Sequence, residues 1–468
     1  MKAAVFLFFT KKLDGKVKIE YNKGWFIFVI LSMIKKGCRV GFFGLGCSNS
    51  ALLGCLPLDN CAVTLRSDGI INRDGIPGGI RIERIFEGKD ACQDIDEDII
   101  IFSPSVRRDR AEFCEARTNG VVFTSDAELF FEGNDTPIFA VTGSDGKSTT
   151  ATLTHLLLTK AGYNAPLIGN IGEPFMKSYG KKSDFYVCEM SSFMLQFMTP
   201  KTSAACITNI TPNHLDWHKS LEEYRETKLS IGKKTDRLII ADDLTDIKGA
   251  YGIISADKSL DELKKIYKAE IYMTVENGEI RKNGRPLIEI AKIPRNERHN
   301  LKNLMMAIAL TDGLVKDDDI VSVAENFQGL RHRCECILRE KGVEYIDSSI
   351  DSTPARTKET LRSLDRQVVI ILGGRGKGLD YSEIIPEVEK YAKKTIITGE
   401  NCKEIYNAIS NATDSEIIDD FEEAVLRGKR YAESVGTLLL SPASTSFDRF
   451  RNYAERGDRF KDILLKIY

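Results

Sequence analysis

Short apolar runs that stop at a glycine, serine or asparagine and then give way to helix-like spacing recur along this chain. They lie at 39–44, 99–103, 138–143, 185–191, 204–209, 368–373, 395–399 and 437–441. A run such as Val368-Val369-Ile370-Ile371-Leu372 has no polar alternation, so both faces of the strand need cover, as in a parallel sheet layered with helices. Strand–helix alternation of this kind gives an α/β architecture, whose ligands gather at the carboxyl ends of the strands. At roughly 150 residues to a domain, the 468 residues accommodate three. A polar stretch at 132–137 precedes one strand, and Gly329-Leu330-Arg331-His332-Arg333 precedes a hairpin-like segment ending at Asp347. The expected domains are therefore 1–133, 134–329 and 330–468.

Lysine plus arginine (66) nearly balances aspartate plus glutamate (68), a net charge of −2. Such a chain has no long-range field for a nucleic-acid backbone or an anionic membrane. Eleven cysteines, an odd number with no Cys-x-x-Cys pair, argue against a disulfide framework or a zinc site and for reduced thiols in a cytoplasm. The apolar stretches at 3–9 and 25–34 are shorter than the roughly 20 residues of a membrane helix, and no cleavage site follows the first. No membrane span or targeting signal is expected, and the residues before Met33 read as a functionally silent extension of the first domain.

The strongest local signal is Ile138-Phe139-Ala140-Val141-Thr142-Gly143-Ser144-Asp145-Gly146-Lys147-Ser148-Thr149-Thr150. A buried strand runs into a glycine turn and then a helix expected to start near Lys147. Glycines let backbone N–H groups curl around an anion, Lys147 reaches the β/γ-phosphates, and Ser148 offers a hydroxyl to Mg²⁺. Val141 stands where the longer G-x-x-x-x-G-K-[ST] spacing puts glycine, so the loop is the shorter T-G-x-x-G-K-[ST] form. Binding of a nucleoside triphosphate follows. Gly44-Leu45-Gly46-Cys47-Ser48-Asn49 has asparagine where a dinucleotide fingerprint puts its third glycine. Read alone it is either a ligand turn or a tight turn that binds nothing. Gly373-Gly374-Arg375-Gly376-Lys377-Gly378 is either a seat for an anion or a solvated loop.

Glu189 ends an apolar strand, where a phosphate-loop enzyme keeps an acid for Mg²⁺, and also where an acid can cap the next helix. Only five histidines occur, and two of them lie in Thr208-Asn209-Ile210-Thr211-Pro212-Asn213-His214-Leu215-Asp216-Trp217-His218. His214 is placed for metal or substrate; a surface position is expected for His218. On pattern alone Lys228, within a helical stretch, reads as a solvated lysine.

Taken in order, these motifs resemble the Mur ligase family. The resemblance rests on 142–149, Gly169-Asn170-Ile171-Gly172, Glu189-Met190-Ser191-Ser192-Phe193, 209–215 with Lys228, and Arg298-His299-Asn300-Leu301-Lys302-Asn303. It continues through His332-Arg333, 373–377 and Leu439-Leu440-Ser441-Pro442-Ala443-Ser444, and so spans about residues 35 to 468. It implies a Rossmann-like first domain, a central ATPase domain and a Rossmann-like third domain. It also implies an ATP-dependent amide ligase of cell-wall precursor synthesis working through an acyl phosphate. Within that resemblance the segment 441–460, with Phe447-Asp448-Arg449-Phe450-Arg451-Asn452-Tyr453 and Arg456-Gly457, implies UDP-N-acetylmuramoyl-L-alanine and D-glutamate as the substrates; a monomer is the expected state.

By the same resemblance Gly143, Ser144, Asp145, Gly146, Lys147, Ser148 and Thr149 cradle ATP, Asn300 and Asn303 meet the adenine, Arg333 the γ-phosphate and Asp347 the ribose. Ser148 and Glu189 hold one Mg²⁺; His214 and a carbamylated Lys228 hold a second, and Asn170 lies near the acyl centre. Lys147, His214 and Lys228 carry the catalysis. Cys47, Ser48 and Arg66 meet the uridine diphosphate end of the substrate, and Ser352, Lys377, Ser446, Phe447 and Tyr453 the incoming amino acid. The chain departs from the family at Thr64, where an acid is expected at the end of the second strand, at Ser105, commonly glycine, and at 347–352, which lacks a lysine many members carry. A different amino acid, a folylpolyglutamate-type reaction and a non-ligase nucleotide switch are the alternative readings.

Overall fold

The computed structural model describes residues 10–13, 16–19, 30, 32–34, 36–71, 73, 76–215, 217–376 and 379–466, leaving aside the side chains of 10–13, 16–19 and 47. The early apolar stretch 3–9 and most of 25–34 lie outside the described residues. The chain divides into two compact units, Met1–Phe327 and Gln328–Tyr468.

The first unit holds two large sheets. In one, the strands run in the order Ile82–Glu87, Ala62–Ser67, Arg39–Phe43, Ile99–Phe102, Val122–Thr124, all parallel. Its order reverses between Arg39–Phe43 and Ile99–Phe102, and that is where an open α/β sheet leaves its ligand crevice. The reversal also explains the missing third glycine. Asn49 donates its amide to Gly44 O (2.8 Å), Ile101 O (3.1 Å) and Phe43 O (3.3 Å), bonding strand-end carbonyls on both sides of the crevice. Gly44 itself has φ 77°, and a Cβ there would sit 2.9 Å from that of Ser103.

The second sheet runs Leu167–Gly169, Tyr186–Glu189, Ile138–Thr142, Ala204–Ile207, Leu238–Ala241, Gly252–Ile254, Ile271–Glu276, all parallel, before two antiparallel strands, Glu279–Lys282 and Arg285–Glu289, close its edge. Ile138–Thr142 and Tyr186–Glu189 are buried at every position, as their unbroken apolar runs require. One apolar cluster runs from Val40, Leu65 and Ile101 through Ala127 and Phe130 to Phe175, Tyr186 and Ile207, so these two sheets share a core. Asp126, at the start of helix Asp126–Gly133, accepts the backbone N–H groups of Phe175 and Met176 (3.1 and 3.0 Å) and pins the helix across the junction.

The second unit has one six-stranded sheet, ordered Glu335–Glu340, Val343–Asp347, Thr437–Leu440, Val368–Leu372, Ala392–Ile397, Ser415–Ile417. Only the first strand is antiparallel to its neighbour, and it forms the expected hairpin ending at Asp347. No helix among the described residues is long and apolar enough to cross a membrane.

Candidate active site

The phosphate loop leaves strand Ile138–Thr142 between the ends of Tyr186–Glu189 and Ala204–Ile207. Gly143 (φ 148°) and Gly146 (φ 78°) take backbone conformations that side chains rarely adopt; a Cβ on Gly146 would lie 2.2 Å from Asn303 Oδ1. Helix Lys147–Lys160 then begins with no side-chain cap and no acid in its first turn. Its orphan N–H groups and dipole thus face the loop uncompensated, the arrangement that binds an anion. The neighbouring strand end fixes the loop: Ser144 N donates to Asn209 O and Asp145 N to Asn209 Oδ1, both 2.9 Å. Ser144 Oγ bonds Thr211 O (2.9 Å) and the Tyr224 hydroxyl (2.8 Å), and Lys147 Nζ donates to Ser144 O (2.8 Å). Ser148 and Thr149 are half-buried in the helix's first turn.

Glu189 is buried at the end of its strand, one carboxylate oxygen accepting Asn170 Nδ2 at 2.6 Å. Its other oxygen is buried with no hydrogen-bond partner among the described residues. An unpaired buried carboxylate oxygen beside a phosphate loop fits a hard divalent cation, whose ligands are oxygens. Lys228 is not solvated, contrary to its helical pattern. It is 1% exposed, donates to Gly143 O at 2.6 Å and lies 4.7 Å above the Tyr224 ring. Burial above all, then the charge of Lys147, lowers its pKa to about 7. An amine with that pKa is half neutral near pH 7, and only the neutral form adds CO₂. As an ammonium it repels a cation; as a carbamate it offers oxygens, so the residues fit Mg²⁺ with Lys228 modified.

His214 is exposed in a left-handed conformation (φ 54°), its ring 4.9 Å from that of Phe193. His218, expected on the surface, is instead buried among Phe193, Trp217 and Tyr224, with Nε2 3.0 Å from Ser192 Oγ. Desolvation drives its pKa down to about 4, so it is neutral. On helix Arg298–Leu310, Asn303 is buried against Gly146, and half-buried Asn300 bonds Glu297 Oε2 at 2.9 Å.

Arg66 is put to a different use from the expected substrate contact. It has no exposed surface: Nε and Nη2 pair with Glu97 (2.8 and 3.2 Å), and Nη1 and Nη2 donate to the carbonyls of Ala91, Gln93 and Asp94. Thr64 is not a strand-end position either. Its strand continues to Ser67, Thr64 is buried in its middle, and the first acid beyond the end is Asp68, which pairs with Arg110. Ser48 is half-buried in the helix after the glycine turn; Cys47 opens that helix, and its side chain lies outside the described residues.

In the second unit Asp347 is buried, accepting His332 Nδ1 (2.7 Å) and Ser349 N (2.8 Å). Gly457 presses on this pair; a Cβ there would come within 2.3 Å of both side chains. Arg333 is exposed one residue on from His332. Ser446 is buried and Ser352 half-buried, while Phe447 (57%) and Tyr453 (41%) stand out as exposed rings. Lys377 lies outside the described residues. Two contributors were given no role from the sequence. Tyr224 lies four residues before Lys228, a spacing that puts both on one helix face. Arg456 is 2% exposed and joins strand-end loops by donating to Ser349 Oγ, Ser349 O and Ser444 O (2.9 to 3.0 Å).

Residues 141–311 match the family model of the Mur ligase middle domain, and 332–444 that of the Mur ligase glutamate ligase domain. A UDP-N-acetylmuramoylalanine--D-glutamate ligase of Ruminiclostridium cellulolyticum is 33% identical over 459 residues, 92% of this chain and 97% of the relative. One of Acetivibrio thermocellus is 33% identical over 458 residues with the same coverage. The solved UDP-N-acetylmuramate-alanine ligase of Thermotoga maritima has the same fold, with a TM-score of 0.55 at 20% identity over 92% of this chain and 100% of its own. A phosphate loop backed by a buried acid and a buried lysine, within a chain that matches its relatives almost end to end, makes this protein a member of the Mur ligase family.

Proposed function

We propose that the enzyme joins D-glutamate to UDP-N-acetylmuramoyl-L-alanine in the cytoplasm, with ATP converted to ADP and phosphate. A carboxylate is a poor acyl donor because oxide would have to leave. In the first step a substrate carboxylate oxygen bonds the γ-phosphorus and ADP departs. In the second the amine attacks the acyl carbon, phosphate leaves, and the nitrogen loses a proton. Bound Mg²⁺ supplies the positive charge that lets two polyanions approach.

The protein groups divide the work. The Gly143–Gly146 turn and the start of the following helix seat the phosphates, with Lys147 at the β/γ end. Ser148 and Glu189 are the ligands proposed for one cation, His214 and the Lys228 carbamate for the other. Asn170, bonded to Glu189, orients that carboxylate and meets the acyl end. Asn300 and Asn303 take the adenine, Asp347 the ribose and Arg333 the γ-phosphate. Ser352, Lys377, Ser446, Phe447 and Tyr453 receive the amino acid, and Ser48 with Cys47 the uridine diphosphate end. The cysteines described as free thiols agree with a reducing compartment.

The observation that carries this reading is the buried Lys228 beside a phosphate loop whose neighbouring acid keeps an unpartnered oxygen. A phosphate-release assay with UDP-N-acetylmuramoyl-L-alanine and a panel of amino acids tests it. Release is expected with D-glutamate and not with L-glutamate; equal release without any amino acid refutes ligation.

A further inference from the structure

A dense polar contact joins the loop after strand Ile99–Phe102 to the loop and helix that carry His214 and Lys228, and none of the roles above uses it. Arg107 forks onto Glu223, with Nη1 to Oε2 and Nη2 to Oε1 both 2.9 Å. Nη1 also donates to Trp217 O (3.0 Å), and the guanidinium lies 4.9 Å from the Trp217 ring centre. Trp217 answers with Nε1 to Ser105 O at 2.7 Å. Asp109 accepts from Arg107 Nε and Nη2 (2.8 and 2.7 Å) and from Lys219 Nζ (2.6 Å), while Lys219 N donates to Glu223 Oε2 (2.7 Å). The Arg107 side chain is only 12% exposed. A bidentate pair with little solvent, closed by a stacked ring, is the stronger kind of ion pair and fixes geometry as well as charge.

Glu223, Tyr224, Thr227 and Lys228 lie on one short helix, Leu221–Leu229. Its first turn is gripped by Arg107. Its middle bonds the phosphate loop through Tyr224 and Ser144, and its last turn does so through Lys228 and Gly143. Five residues of helix, about 7.5 Å of rise, separate Glu223 from Lys228. A helix of two to three turns held at both ends moves as one piece, so a shift at Glu223 is felt at Lys228.

We propose that Arg107 is a positioning residue for the ligation: gripping Glu223 and Trp217, it ties the loop at the first sheet's ligand crevice to the helix that holds Lys228 against the phosphate loop. The proposal rests on the function given above. It makes the seating of the nucleotide-sugar and the placing of Lys228 parts of one rigid body.

Steady-state kinetics and fluorescent-ADP binding on the full chain test it with Arg107→Ala, Arg107→Lys, Glu223→Gln and the double variant Arg107→Ala/Glu223→Gln. Coupling of this kind predicts a fall in kcat of about tenfold for Arg107→Ala. KM for the nucleotide-sugar should rise while ADP affinity and KM for ATP stay within about twofold. Arg107→Lys, which keeps the charge without the fork, should fall between, and the double variant should lose no more than the worse single. A kcat for Arg107→Ala within twofold of wild type overturns the proposal, as do losses that multiply in the double variant or an equal fall in ADP affinity. Should Arg107→Ala fail to fold, Arg107→Lys and Glu223→Gln decide by the same ratios. Wild-type turnover with D-glutamate judges the function itself. If another amino acid serves, or none is needed, that reading fails while the variant ratios are still measured on the same phosphate release.

Discussion

Arg66 offers a sharp test, because a surface ligand and a buried clamp fail in opposite ways when cut. Arg66→Ala leaves the Glu97 carboxylate, which has no exposed side-chain surface, buried without its partner. Breaking a buried pair from one side costs about 3–5 kcal/mol. The Ala91 carbonyl loses a donor within the buried shell, adding about 1 kcal/mol, and the contact of the guanidinium over the Phe86 ring at 4.3 Å goes too. The total is about 4 kcal/mol or more. For a cooperative unit the size of Met1–Phe327, with an unfolding entropy of about 2.1 cal/mol/K per residue, that lowers the melting temperature by about 6 °C or more. Calorimetry of the full chain reads this as a downward shift of the transition that includes the first sheet. KM for the nucleotide-sugar, measured well below that transition, should stay near wild type. Arg66→Met combined with Glu97→Leu removes both charges and should recover most of the loss, since an apolar pair of similar volume often replaces a buried ion pair without penalty. An unshifted melt together with a raised KM would falsify the clamp and return Arg66 to the substrate.

Three other outcomes follow from the central site. Burial lowers the Lys228 pKa to about 7 from 10.5, so between those values the unfolded chain holds one more proton than the folded one. Stability from this group therefore rises with pH across that window, and below about pH 7 the full cost of the buried ammonium stands. Lys228→Met should raise the melting temperature more at about pH 6 than at about pH 9.5, and the carbamate signal from ¹³C-labelled CO₂ should grow as pH climbs through about 7; a flat signal removes the carbamate. Gly146→Ala forces a left-handed alanine, about 1–2 kcal/mol, and drives a methyl into Asn303 Oδ1. Fluorescent-ATP titration should show affinity down about tenfold or more, and wild-type affinity would mean that the loop yields freely. Glu189→Gln should raise the Mg²⁺ concentration for half-maximal turnover several-fold at an almost unchanged melting temperature; an unaltered Mg²⁺ dependence removes Glu189 from the cation.

What the sequence disclosed and what it withheld divide along sequence separation. The phosphate loop was readable because its requirements are local: glycines where φ must be positive, a lysine, a hydroxyl and an uncapped helix start, all within 143–149. The parallel sheets were readable because burial on both faces leaves unbroken apolar runs. Lys228 read as solvated because the group that buries it, the Gly143 carbonyl, is 85 residues away. Arg66 was expected at the substrate because the family resemblance puts a contact at that strand end; the acid that claims it is 31 residues on. The acid sought at Thr64 was misplaced because the strand continues three residues to Ser67, a boundary that periodicity alone does not fix. His218 read as exposed because a histidine followed by Lys219 and Ser220 shows nothing of the distant rings of Phe193 and Tyr224, which close over it together with the adjacent Trp217. The buried cations Arg66 and Lys228 met opposite fates. Arg66 was given an acid and spent on stability. Lys228 was given a carbonyl and an aromatic face, and there burial and the Lys147 charge outweigh the acids Asp145 and Glu189 and lower its pKa to about 7, which is what the proposed carbamate would require of it.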